Sequence, residues 1–240
     1  SVQAAGNIVI DGHCEASQIE AGGDVIIRKG CQGKGLGKII AGKSIVGQFF
    51  ESAVLTAGKD VQATYLLNCQ LKANGKLLVE GRKGVIIGGK TCAKLGVSCN
   101  GIGNIAEIAT VVSVGIDKED MTAYQELQKK IEQTQAELQT CENGLNKLMA
   151  NSVHDEKVSM MIQRLTRAVY TLKSSRKELF SERDAQMEQM TKQKEARIQV
   201  SGRAYPGTLL FLNEDPFAIK EIYNNVEFVK HDNHIDTLAH

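Results

Sequence analysis

The chain's strongest chemical signal is Gly84-Val85-Ile86-Ile87-Gly88-Gly89-Lys90-Thr91, which fits the phosphate-binding phrase G-x-x-x-x-G-K-[ST] at every position. Such a loop works by wrapping free backbone N–H groups around phosphate, with the lysine on the terminal phosphates, the hydroxyl on Mg²⁺ and a helix starting at once. That context is missing here. Val85-Ile86-Ile87 reads as a buried strand, and residues 92–99 contain Gly96 and carry no helical seam. Residues 111–116 ending in Asp117 imitate an acidic Mg²⁺-linked strand, but Asp117 opens a helical segment instead. A nucleotide site at 84–91 is therefore the disfavoured reading.

Two further groups of residues invite a chemical reading. The stretch Gly33-Lys34-Gly35-Leu36-Gly37-Lys38 is a weak candidate anion-binding loop, since the amides of Gly33, Lys34, Gly35, Gly37 and Lys38 and two ammonium groups can converge on a phosphate or carboxylate. Its competing reading is an insertion in a repeat. The six cysteines, Cys14, Cys31, Cys69, Cys92, Cys99 and Cys141, include no CxxC pair and read as reduced thiols. Cys92 and Cys99, with Cys69 a turn away, have neither zinc spacing nor a nearby histidine, so stacked core thiols are favoured over a metal site. His231, His234 and His240 lie in a polar tail and are not expected to hold a metal. The sequence thus offers no catalytic, cofactor-binding or metal-ligating residue.

The elements that would have to position such groups are written in a repeat. Ala21-Gly22-Gly23-Asp24-Val25, Ala41-Gly42-Lys43-Ser44-Ile45, Ala57-Gly58-Lys59-Asp60-Val61 and Ala73-Asn74-Gly75-Lys76-Leu77 keep the same order of small residue, Gly-bearing turn and apolar residue. Their alanines stand 20, 16 and 16 residues apart; a fainter copy begins at Ala4, and another is placed at Gly89. A period of about sixteen is too short for paired helices and suits one coil of a β-solenoid. About seven rungs at a spacing of about 4.8 Å would make a stack roughly 30 Å long. Recurrent glycine marks the corners, and the lack of Trp suits a narrow core.

Twenty of the 23 glycines precede Asp117, one falls in 118–197 and two in the tail, so the rules change near residue 117. Tyr124, Leu127, Ile131, Thr134, Leu138, Cys141, Leu145 and Leu148 alternate spacings of three and four, a heptad seam. A looser seam runs through Val158, Ile162, Leu165, Val169, Leu172, Arg176, Leu179, Arg183 and Met190. The pattern predicts an antiparallel hairpin with arms at 119–150 and 156–197, roughly 45 to 60 Å long at about 1.5 Å per residue. Arg176 and Arg183 require an open or polar seam where they fall. Residues 198–240 return to strand patterning, with Tyr205-Pro206-Gly207 as a turn. The expected organisation is a parallel β-helix at 1–117, a coiled-coil hairpin at 118–197, and C-terminal strands at 198–240 that complete or cap the β-helix.

Gly23-Asp24-Val25-Ile26-Ile27, the 31–39 loop and Gly81-Arg82-Lys83-Gly84-Val85-Ile86-Ile87-Gly88-Gly89 resemble the flagellar assembly protein A family, as does the order of parts. The resemblance covers essentially the whole chain and implies a right-handed parallel β-helix, a coiled-coil hairpin and a short β tail with a Tyr-Pro-Gly turn. It also implies a non-enzymatic role in flagellar or cell-pole organisation, and it transfers no catalytic residue. Members commonly carry a further N-terminal domain, and this chain, whose first residue is not Met, reads as a fragment without it.

Composition narrows the function further. A net charge of +1 argues against bulk nucleic-acid binding, and no apolar run approaches the length of a membrane span. A cytoplasmic location is expected. Enzymes built on β-helices need features this sequence lacks: a period of sixteen is not a hexapeptide repeat, and His13 is the only histidine of the coil region. The expected function is structural or partner-binding, with protein partners taken through the hairpin and a homo-oligomer as a further option. Lys129, Lys130, His154, Arg164 and Arg167 are the candidate partner-binding residues. A bactofilin-like polymer-forming β-helix is the alternative.

Overall fold

Each copy of the repeated phrase occupies the same corner of a parallel β-solenoid of about six turns. In register, Ala4 pairs with Ala21, and the column continues through Ala41, Ala57, Ala73 and Ala93 to Val114 and Leu212. Beside it runs the column Ile19, Ile39, Leu55, Leu71, Thr91, Val112 and Leu210. A third column holds Ile8, Val25, Ile45, Val61, Leu77, Val97 and Ile198. All these side chains except the half-buried Ala4 are buried, and together they fill the core. The computed structural model describes residues 1–150, 155–232 and 234–239.

The phrase has a physical reading at each letter. Alanine points into the core, and the glycine after it lets adjacent coils approach. The N–H of Gly42 donates to Ala21 at 2.8 Å and that of Gly58 to Ala41 at 2.9 Å, so a Cβ on Gly42 would strike the carbonyl of Gly22, and one on Gly58 that of Gly42. The next polar residue forms a ladder: the Asn7 side chain accepts from the Asp24 N–H at 2.8 Å, Asp24 from Ser44 at 2.9 Å, and Asp60 from Lys76 at 2.7 Å. Each such bond contributes about 1 kcal/mol net and fixes the register between turns.

The sixth copy begins at Ala93, not Gly89: Ala93-Lys94-Leu95-Gly96-Val97 follows Ala73 in register. An insertion shifts it. Ala63 pairs with Val79, sixteen residues on, whereas Tyr65 pairs with Val85, twenty on, so Gly81-Arg82-Lys83-Gly84 is extra chain bulging from a corner. A second insertion holds 33–36, where Gln32 pairs with Glu51 but Gly37 with Ala53. A third lies between Ile102 and Thr110, which pair with Ile86 and Gly89.

The tail both adds a layer and closes the end. Ile198–Ala204 pairs in parallel with Gly96–Ile102, and Thr208–Leu212 with Thr110–Val114. Asp215–Ala218 and Tyr223–His231 then lie antiparallel on those two strands, and His234–Ala239 pairs with Tyr223–His231. Phe217, Tyr223 and Phe228 meet with ring centroids 5.5 to 6.3 Å apart, and Phe228 is fully buried opposite Ile198.

The chain divides into two compact units, Ser1–Asp117 with Thr191–His240, and Lys118–Met190. The second is a hairpin of α1 (Lys118–Ala150) and all but the last turn of α2 (Glu156–Lys194). Leu127, Ile131, Leu138 and Val169 are its buried apolar seam residues, and the other described seam positions stay partly exposed. The arginines expected to trouble the seam avoid burial. Arg183 turns to its neighbour Asp184 at 2.7 Å and lies over the Phe180 ring at 4.8 Å.

Candidate functional site

The phosphate-loop phrase is spent inside the strand Val85–Ala93. Ile86 is fully buried, and the Thr91 side chain is 1 % exposed between Leu71 and Val112, where it cannot reach a metal ion. The Gly88 N–H, which a phosphate would need, donates to the Thr110 hydroxyl at 2.9 Å. No helix follows, since the next element is the strand Gly96–Ile102.

The 33–38 loop is a tight bulge. A Cβ on Gly37 would lie against Gly33 Cα, so the loop closes on itself, and Lys34, at φ +50°, reaches the Glu15 carboxylate at 3.0 Å. The Lys38 N–H donates to the Ser17 carbonyl at 2.9 Å. A Cβ on Gly33 would strike the Ser52 carbonyl, and one on Gly35 would meet open space. A carboxylate thus already sits on the loop's first ammonium, and the extra residues at 33–36, with one more between Ile27 and Gly30, account for the 20-residue interval from Ala21 to Ala41.

The cysteines arrange differently from the sequence reading. Cys92 is half-buried between Lys72 and Ser113, Cys99 is buried between Val79 and Val200, and Cys69 belongs to a third column with Gly89. The thiols that do approach one another are Cys14, Cys31 and Cys69, with Cys14 and Cys31 direct register partners. Burial pushes the Cys31 thiol up to about 11, helped by Cys14 and Cys69, and burial pushes Cys99 up to about 12. Such thiols stay protonated near neutrality and are poor nucleophiles and poor metal ligands. The sequence signal for this contact is the spacing of Cys14 and Cys31, one coil apart. Among the described residues no group of three or more His, Cys, Asp or Glu side chains is placed to hold a metal ion. His234 pairs with Asp236 at 3.1 Å, and His240 lies outside the described residues.

The hairpin carries the remaining candidates. Lys129, Lys130, Arg164 and Arg167 are all exposed, and His154 lies outside the described residues. The four do not form one patch. Lys130 lines a groove with Glu126, Glu182 and Ala185, whereas Arg164 stands about five helical turns from Glu182 along α2. Between them, α1 and α2 leave an open apolar groove of about 670 Å³ lined by Ala136, Glu137, Thr140, Cys141, Ala168, Thr171 and Leu172. Small side chains at this level let a third element approach the two backbones closely. Its apolar floor is what a helix surface recognises, and charged residues along its length can set partner and direction.

No described helix is long and apolar enough to cross a membrane. No curated protein and no solved structure matches the chain. The family model described as the Flagellar Assembly Protein A beta solenoid domain matches residues 1–235 and so takes in the coils, the inserted hairpin and the capping strands together. On that coverage, the chain belongs to the Flagellar Assembly Protein A beta solenoid family.

Proposed function

We propose that this chain is a non-enzymatic scaffold in which the solenoid is the rigid part and the hairpin is the recognition arm for protein partners. Its working context, on this reading, is flagellar or cell-pole organisation in the cytoplasm. The observation that carries the proposal is the incompleteness of the hairpin: two helices of 33 and 39 residues bury four seam side chains and leave an apolar groove open. Helices of this length gain most of their stability from packing, so a pair this sparsely packed gains from a further layer. Membership of a flagellar assembly family supports the context. Lys129, Lys130, Arg164 and Arg167 then tune partner choice from two levels of the hairpin.

The test replaces residues 118–190 with a short Gly-Ser linker. Circular dichroism should retain the β-solenoid signal and lose the helical one, while cross-linking in the native cell should lose the hairpin-dependent protein adducts. Adducts that persist unchanged would reject the recognition arm. The bactofilin-like alternative needs two open solenoid ends, and the antiparallel strands over Ile198–Ala204 and Thr208–Leu212 cover one of them.

A further inference from the structure

We infer that the occupant of the hairpin groove is the hairpin of a second copy of this chain, docked antiparallel about a two-fold axis at Thr171. The inference rests on the recognition-arm reading and names its partner. The groove at Ala136, Thr140, Ala168 and Thr171 has the small side chains that close helix approach requires, and Leu172 and Cys141 give it an apolar floor. What selects a second copy is charge. Arg164 and Glu178 sit seven residues to either side of Thr171 on the stripe of α2 that borders the groove. Seven residues is close to two helical turns, so both lie on Thr171's own face, about 10 Å from it in opposite directions.

A two-fold axis at Thr171 that runs α2 against its copy brings Arg164 of each chain opposite Glu178 of the other, twice over. Both side chains are exposed, and among the described residues neither makes an ion pair or a side-chain hydrogen bond within its own chain. Toward one end the same face is acidic at Glu126, Glu178 and Glu182, with Lys130 among them, and toward the other it is basic at Lys147 and Arg164, while Glu137 lines the groove near the axis. A parallel arrangement would set like charges together, whereas the antiparallel one sets acidic against basic. The face is therefore complementary to itself in one direction only.

The experiment is sedimentation equilibrium of the full chain at low salt. The parent chain should sediment as a dimer. Arg164→Glu and Glu178→Arg should each weaken dimerisation by at least about tenfold, because each puts two like-charged pairs at the interface. The double variant Arg164→Glu/Glu178→Arg should restore the dimer, an outcome that a heterologous partner or a folding defect would not give. Helical circular dichroism equal to the parent's confirms that the single variants remain folded. A parent chain that is monomeric at high concentration overturns the inference and leaves the recognition arm to a different protein. A dimer indifferent to both single reversals overturns it as well and assigns self-association to another surface.

Discussion

At the scale of single residues, the glycines of the repeated phrase are set by distance and not by backbone angle. Gly22, Gly42 and Gly58 are absent from the positive-φ positions, yet each sits where a methyl group would meet the carbonyl of the coil beneath it. Gly42→Ala should therefore force two turns apart, break the Gly42 N–H to Ala21 bond and cost about 2–4 kcal/mol of solenoid stability. Gly12 supplies the control, since a Cβ there meets nothing within 4 Å; Gly12→Ala should stay within about 0.5 kcal/mol of the parent. Urea unfolding followed by far-UV circular dichroism measures both, and equal costs would mean that coil spacing does not depend on these glycines. The phosphate-loop phrase teaches the same lesson from the other side. Its glycines serve a corner, with Gly88 at φ +69° over the Asn68 side chain and Gly89 at φ +76° over the Cys69 carbonyl, so the letters of a nucleotide site arise from β-solenoid geometry.

At the scale of elements, the decisive contact is made by Asn213, whose amide ties together both ends of the inserted hairpin. Its Oδ1 accepts from the Ile116 N–H at 2.9 Å, where the chain leaves the solenoid, and its Nδ2 donates to the Lys194 carbonyl at 3.2 Å, where the chain returns. Gly115 makes room for it, because a Cβ there would collide with Asn213 Oδ1 and its φ of +89° disfavours other residues. Asn213→Ala leaves the Ile116 N–H and the Lys194 carbonyl without that partner and should cost about 1–3 kcal/mol. Amide exchange at Ile116 and Ala196 should accelerate while exchange in the strand Ile45–Ala57 does not; uniform acceleration would show a global effect and refute the clamp. None of this clamp was legible in the sequence, because Asn213 stands 97 residues from Ile116 and carries no pattern of its own. The repeat was legible because every coil must reuse the same corner, and the heptad seams because each helix packs on one face. A count of sixteen from Ala73 places the sixth copy at Gly89, whereas the inserted Gly81-Arg82-Lys83-Gly84 moves it to Ala93, and spacing alone does not reveal such an insertion. Lys129, Lys130, Arg164 and Arg167 are all exposed, but α1 and α2 hold them at two levels, which their positions along the chain do not reveal.

At the scale of the whole molecule, a solenoid must stop, and the way this one stops decides whether it polymerises. Parallel coils end in a row of unpaired N–H and C=O groups that templates another chain. Here the strands Asp215–Ala218 and Tyr223–His231 reverse direction and take up the exposed bonds of Thr208–Leu212 and Ile198–Ala204, while Phe217, Tyr223 and Phe228 close the hydrophobic core at that end. Lys230 adds an ion pair to Asp215 across the two capping strands. Reversal matters because an antiparallel strand cannot continue the register of the coils, so no further coil can stack there in register. Phe228 is the largest fully buried side chain of the cap, and Phe228→Ala should destabilise it by about 3–5 kcal/mol. With the cap loosened, the edges of Ile198–Ala204 and Thr208–Leu212 become available, and the variant should assemble end to end as its concentration rises. Negative-stain electron microscopy should then show rods or filaments that are absent from the parent chain at equal concentration. A Phe228→Ala protein that keeps the parent's sedimentation profile, with a cap shown by hydrogen exchange to be open, would mean that something other than the reversed strands keeps the solenoid from growing.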